Sequence, residues 1–441
     1  MRADGCCLRS YCKGYSGFVN SDLLTGPKPK KAGFQRVLQA VSLALLELLV
    51  LVLGLLWARL PARPAAPLAP PSVLAPDAEA DPRDAAPGAA AAALPFIVLS
   101  HGLGGTRTAY GGHACAFASS GRVVCALEHG DATACLATIP ARPPAVGARP
   151  AKSAWLLYGG CGSGAERWAK VARRCSEATL VLDLLQALAE QKPGAQLPHA
   201  PRVTWPEQLP PPPLNCPLPA TGDPSAAFLE QFRGRVDTDA LVAAGHSFGG
   251  ATAIALARAD ARIAACVVND PWLHACAPSD TAATPWRHPV ALLVTLCEDW
   301  TVSKLHDEAA MARVRDGVRS GGGVAALAGQ RGTTHFSFGD TVFFIPHALT
   351  RRLRPGFKKD PPPPPGPQAV AAFALMDAFL RRHTGAHRAS PDEARARAER
   401  VAAAAMKADG DAGEALAWRD DDSHAQMIAT TLGDDALVLM S

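Results

Sequence analysis

The 441-residue chain has no CxxC pair, no Cys/His spacing of a zinc site and no glycine loop closed by Lys-Ser/Thr. Those absences remove a thioredoxin-like redox motif, a structural zinc module and a P-loop nucleotide site. Charge is sparse as well. Asp, Glu, Lys and Arg make up 19% of residues, and the net charge is only +4. So small an excess gives no electrostatic reason for nucleic-acid binding, and no RNA- or DNA-binding motif is present. Twelve cysteines do not form a dense framework. Cys125, Cys266 and Cys297 sit inside apolar runs, where cysteine behaves as a small buried hydrophobe. Cys115, Cys135, Cys161, Cys175, Cys216 and Cys276 leave room for one or two disulfides, whose pairing the sequence does not specify. No structural metal and no cofactor are expected.

What the chain does have is apolar bulk. Its 48% hydrophobic content predicts a globular protein, long enough for one large domain with appendages. Residues 1–36 form a basic tail, with Arg2, Arg9, Lys13, Lys28, Lys30, Lys31 and Arg36. Val37 to Ala58 is almost wholly apolar, broken by Gln39, Ser42 and Glu47. As a helix it would rise roughly 30 Å, about the thickness of a hydrocarbon core. Only Arg59 and Arg63 follow closely, so the charge bias predicts a signal anchor with its N-terminus cytoplasmic. The remainder of the chain is then lumenal or extracellular. The alternative is a cleaved signal with a secreted product, against which stand the long leader and the long apolar core.

Residues 59–94 are rich in Ala and Pro and predict a linker. A compact domain is expected over 95–383, opening on the buried-strand run Phe96-Ile97-Val98-Leu99. A second strand fits Arg122 to Leu127. Glu166 to Lys192 has helical spacing, with Val171, Ala178, Leu182 and Leu185 on related faces. Strand-like Ala240–Ala244, a small-residue helix over Gly249–Ala257, and strands at Ile263–Val268 and Val290–Leu296 follow. Strands alternating with helices predict an α/β fold with a mostly parallel sheet covered on both faces. Val370 to His383 resembles a closing amphipathic helix, and residues 384–441 read as a C-terminal tail without an assigned role.

Gly245-His246-Ser247-Phe248-Gly249 is a GxSxG sequence between a strand-like run and a helix-compatible one. In a sharp strand-to-helix turn the nucleophile takes a strained conformation, and only residues without bulk fit beside it. Ser247 is therefore the expected nucleophile. A serine needs a base, and the base an orienting acid, in the chain order Ser, Asp or Glu, His. His335, in Thr333-Thr334-His335-Phe336-Ser337-Phe338, is the expected base. His288 immediately precedes a strand and belongs at the wrong end of the sheet, and His347 is a lesser rival. For the acid, Asp270 ends one strand while Glu298 and Asp299 end the next; spacing leaves both open. The oxyanion donors are expected to be the N–H groups of Phe248 and of Leu103, in the loop Ser100-His101-Gly102-Leu103-Gly104-Gly105.

These segments resemble, in order, the plasma and type II intracellular platelet-activating factor acetylhydrolases, or group VII phospholipases A2. The resemblance runs from about Phe96 to His383. It includes Ala126-Leu127-Glu128-His129-Gly130-Asp131, Asn269-Asp270-Pro271-Trp272 and Thr106-Arg107-Thr108-Ala109-Tyr110, besides the loops quoted above. It implies an α/β-hydrolase fold, with Ser247, Asp270 and His335 as the triad. Asp270 is preferred because the family's aspartate precedes a small residue and a tryptophan. Gly130 stands where arginine is usual, and Pro271 where alanine is typical. The implied activity is calcium-independent hydrolysis of the sn-2 acetyl or short, oxidised acyl ester of phospholipids at a membrane. A general carboxylesterase, a chlorophyllase-like hydrolase and a non-catalytic membrane-tethered scaffold are the competing readings.

Overall fold

The computed structural model describes residues 93–139, 154–190, 232–302, 305–330, 333–340, 365–384 and 436–439. The basic tail, the apolar segment 37–58 and most of the linker lie outside the described residues, as do Cys216 and His347. Among the described residues no helix is long and apolar enough to cross a membrane.

The sheet is built from β1 (Leu94–Ser100), β2 (Val123–Ala126), β5 (Val236–His246), β6 (Ile263–Asn269), β7 (Ala291–Cys297), β8 (Val324–Gln330) and β9 (Ala436–Leu439). Their order is β2-β1-β5-β6-β7-β8-β9, and every neighbouring pair is parallel. A small antiparallel pair, β3 (Leu136–Ile139) with β4 (Ala154–Leu157), stands apart. The helices are α1 (Gly111–Ser119), α2 (Gly164–Ala189), α3 (Phe248–Ala259), α4 (Glu298–Val302), α5 (Glu308–Ser320) and α6 (Pro365–His383).

Strand alternation sends side chains into two cores. Phe96, Val98, Leu241 and Ala243 pack on one face with Val171, Ala178, Leu182 and Leu185 of α2, and with α3 and α5. Ile97, Leu99, Val242 and Ala244 pack on the other with Phe117 of α1 and Leu375, Met376 and Leu380 of α6. Runs apolar on both faces are what a doubly covered parallel sheet requires. α3 is buried along most of its length, and its glycines and alanines let it lie close against β5, β6 and α2.

Two departures from the expected layout stand out. The C-terminal tail is not structureless: Ala436–Leu439 adds an edge strand to β8. Four apolar residues far from the domain carry too little periodicity to declare themselves. Cys115, Cys135, Cys161, Cys175 and Cys276 are free thiols, so none joins a disulfide. The Cys175 and Cys276 thiols instead donate to the Thr252 and Ala251 carbonyls, each at 3.6 Å.

Candidate active site

The carboxyl edge of the sheet collects Ser247, Asp270 and His335 from the ends of β5, β6 and the segment after β8. Ser247 has φ 56° and ψ −119°, a left-handed-side backbone that non-glycine residues adopt only where the surroundings enforce it. The enforcement is visible. The Ser247 N–H donates to the Asn269 carbonyl at 3.0 Å, and its own carbonyl accepts from Trp272 N–H at 2.9 Å. A Cβ on Gly245 would run into the Gly249 carbonyl, and one on Gly249 into the Ser100 carbonyl. Both flanking glycines are thus required by close backbone approach, as the motif predicts.

Asp270 is also left-handed, at φ 41°, and is fully buried. Its N–H donates to the Thr295 carbonyl at 2.8 Å, and its Oδ1 accepts from Cys297 N–H at 2.7 Å. Its Oδ2 lies 3.2 Å from His335 Nδ1. Asp270 is therefore the carboxylate that meets the histidine; Glu298 and Asp299 open α4 instead. His335 begins a 3-10 turn held by a capping box between Thr334 and Ser337. Trp300 of α4 stacks flat on its ring, with centroids 3.7 Å apart and planes at 4°. Burial pushes the imidazole down to about 3, which keeps the ring neutral near pH 7. Burial raises the Asp270 carboxyl, against the opposing pull of the His306 ring and the Cys297 N–H.

Ser247 and His335 do not share a hydrogen bond among the described residues. Nδ1 is taken by Asp270, which leaves Nε2 as the nitrogen for the serine, and this contact remains to be closed. Free enzymes often show such contacts long, tightening only with substrate. His288 lies as expected at the opposite end of the sheet, just before β7 and near Thr238 and Arg262.

The loop after β1 passes directly over Ser247. A Cβ on Gly102 would sit 3.2 Å from Ser247 Cβ and 2.8 Å from the Tyr110 hydroxyl. That hydroxyl lies 2.8 Å from His246 Nδ1 and accepts from Gly102 N–H at 3.1 Å. Burial raises the Tyr110 phenol to about 12 and drives His246 well below its usual value, so the phenol is the donor and the neutral ring the acceptor. Gly104 and Gly105 donate to Thr133 and Gly102 carbonyls. The N–H groups of Leu103 and Phe248 are given no acceptor among the described residues. Two unengaged donors beside the Ser247 hydroxyl, one of them opening α3, form an arrangement that could receive an oxyanion.

Behind this loop lies a polar network that sequence reasoning missed. Arg174 of α2, fully buried, donates to Asp131 Oδ2 at 2.8 Å and to the His101 carbonyl at 2.7 Å. It also bonds Thr133 Oγ1 and sits 4.6 Å over the Phe248 ring. His129 bridges Ser100 Oγ at 2.8 Å and Glu177 at 2.7 Å. Glu128-His129-Gly130-Asp131 carries only the family resemblance in the sequence. Arg174 gave no signal, because a charged residue in an amphipathic helix reads as solvent-facing. Where the resemblance sets an arginine, the space beside Gly130 is taken by the Arg173 guanidinium, whose Nη2 would meet an added Cβ at 3.1 Å.

A family model described as platelet-activating factor acetylhydrolase, isoform II, matches residues 77–393. The platelet-activating factor acetylhydrolases of Cavia porcellus and Gallus gallus are 28% and 27% identical over 180 and 188 residues. Each match covers 41% of this chain, and 35% and 39% of those proteins respectively, so it spans well under half of the relatives' own length. A solved ferulic acid esterase from Streptomyces cinnamoneus aligns with TM-score 0.41 and 20% identity, over 70% of this chain and 74% of that one. The family match extends over most of the sequence and takes in every loop that builds the site: this chain belongs to the platelet-activating factor acetylhydrolase, isoform II, family.

Proposed function

We propose that the chain is a serine ester hydrolase of the α/β-hydrolase fold that cleaves the sn-2 acetyl or short, oxidised acyl ester of phospholipids. The observation that carries the reading is a strained Ser247 at a helix N-terminus beside a hydrogen-bonded Asp270–His335 pair. In the proposed reaction, substrate binding brings the Ser247 hydroxyl to His335 Nε2. The neutral imidazole takes the proton as Oγ attacks the ester carbonyl, and Asp270 holds Nδ1–H and stabilises the imidazolium. The Leu103 and Phe248 N–H groups receive the developing oxyanion. His335 then protonates the departing lyso-phospholipid, and water, activated by the same ring, releases the acyl group from Ser247. No step calls on calcium or a cofactor.

The lipid preference draws support from family membership and from apolar exposure beside the site. Phe336 and Leu305, chain neighbours of His335 and His306, are about half exposed, which suits an amphiphilic ester. On sequence, the basic segment 1–36 and apolar segment 37–58 would hold the domain at a membrane, with the N-terminus cytoplasmic. Protease protection of the N-terminus together with resistance to alkaline extraction tests that placement.

A fluorophosphonate probe should label the wild type and not Ser247→Ala. An unlabelled wild type would overturn the enzymatic reading in favour of a binding scaffold. Acetyl, butyryl and long-chain sn-2 phospholipids, assayed beside p-nitrophenyl esters, test the substrate class. Equal turnover of simple esters and phospholipids would make it a general carboxylesterase.

A further inference from the structure

Three side chains converge behind the catalytic pair from separate elements: Asp270 after β6, Cys297 at the end of β7 and His306 between α4 and α5. One ligand atom from each lies within 4.8 Å of the other two, and all three residues are buried. His306 is the anomaly. Its side chain is 3% exposed and its Nε2 ends 3.5 Å from Asp270 Oδ1, yet among the described residues neither ring nitrogen has a hydrogen-bond partner. A buried imidazole without a protein partner is costly. Trp300 holds the ring edge-on, with centroids 5.4 Å apart, and its backbone N–H points at Cys297 Sγ at 3.4 Å.

We propose that Asp270, Cys297 and His306 form a binding site for a soft divalent cation of the zinc class, which inhibits the hydrolase by drawing Asp270 away from His335. The inhibitory half rests on the ester-hydrolase reading; the binding half does not. Ligand atoms around tetrahedral zinc stand about 3.3–3.8 Å apart, a separation small side-chain rotations reach from the present spread. One sulfur, one imidazole and one carboxylate favour zinc-like ions over calcium or magnesium, which prefer all-oxygen sites. On binding, the Cys297 S–H bond breaks and its proton leaves to solvent as the sulfur–metal bond forms. The neutral His306 and the Asp270 carboxylate each supply a lone pair. The ion's two positive charges are then matched by one thiolate and one carboxylate, as burial requires. His335 Nδ1–H loses its acceptor, and the base loses its orientation.

The test is cadmium titration of the full chain, read by the ultraviolet thiolate-to-metal charge-transfer band, with zinc as competitor. The expected result is one Cys297-dependent site per chain, lost in Cys297→Ser and weakened about 100-fold or more in His306→Gln. Melting curves establish that each variant is folded, and if Cys297→Ser does not fold, His306→Gln carries the test. Zinc should inhibit p-nitrophenyl acetate hydrolysis reversibly on chelation, and about 100-fold more zinc should be needed in His306→Gln, each protein scored against its own metal-free rate. A band of equal strength in folded Cys297→Ser, or unchanged zinc affinity in His306→Gln, overturns the proposal. A Cys297-dependent band on a chain that hydrolyses no ester refutes the enzymatic reading and leaves the site standing. A fluorophosphonate-labelled, active chain without that band refutes the site alone.

Discussion

Two buried carboxylates on the same side of the molecule live in opposite conditions. Burial alone would raise Asp131, but the permanent cation of Arg174, with the Thr133 hydroxyl, holds it well below the usual carboxylate range. Asp270 is equally buried, yet it faces imidazoles rather than a guanidinium, and burial leaves its carboxyl raised. The Arg174–Asp131 contact is 2.8 Å, whereas the Asp270 contacts to His335 and His306 are 3.2 and 3.5 Å. A carboxylate matched by a fixed charge acts as a fastener. One matched by neutral rings and a backbone N–H can respond when a charge arises beside it, as an imidazolium would in the proposed acyl transfer. The first pins the loop that follows β1; the second, in the proposed reaction, steadies the base.

The comparison breaks most sharply by substitution at the responsive carboxylate. Asp270→Asn should lower kcat by roughly 10⁴-fold, because the amide can donate and so favours the wrong imidazole tautomer. Its melting temperature should change little; a large loss of stability with modest loss of rate would exchange the two roles. Arg174→Met is the complementary experiment. It strands Asp131 without its cation, and chemical denaturation should show a loss of roughly 3–5 kcal/mol. An Arg174→Met protein as stable as wild type would remove the fastener from the account.

Acid sharpens the contrast further. Burial lowers His113 and His129 to about 4 and His335 to about 3. Below about pH 6.5 the unfolded chain takes up protons at these rings while the folded chain does not. Their stabilising effect is therefore complete above that pH and is lost progressively as pH falls toward 4. Asp270, with its carboxyl raised, works in the opposite direction and offsets part of the loss. Melting temperatures at pH 7.5, 6 and 5 should fall in that order, and a flat series would contradict the burial of the rings. The smallest effect is expected at Asp299→Asn, which should change kcat by no more than about threefold, since the histidine is held by Asp270. A loss at Asp299 equal to that at Asp270 would move the acid to the end of β7.

Much of the sheet was legible in the sequence. Apolar runs at Phe96–Leu99, Ala240–Ala244, Ile263–Val268 and Val290–Leu296 became β1, β5, β6 and β7 with ends shifted by a few residues at most, four at the start of β5. Buried parallel strands must be apolar on both faces, so their signal is strong. β8 and β9 were missed, since Val324–Gln330 is interrupted by glycine and Ala436–Leu439 is only four residues long. At the site, Ser247 and its flanking glycines could be inferred because a tight corner imposes residue type at fixed spacing. Nothing in the spacing separated Asp270 from Asp299. Tyr110, His246, Trp300, His306 and Arg174 give no sign of their partners in the sequence, because those partners lie 35 to 136 residues away along the chain.

What the sequence determined by itself is local: which runs must be buried, where the chain must turn sharply, and which hydroxyl the turn presents. Those follow from sterics and hydrophobic period, which act between near neighbours. Spacing left open which carboxylate meets His335, and tertiary structure alone decided which cation is buried beneath the loop after β1 and that His306 and Cys297 crowd the same acid. Such choices depend on how adjacent parallel strands bring their carboxyl ends together, and on a buried charge finding its partner wherever the fold has placed one.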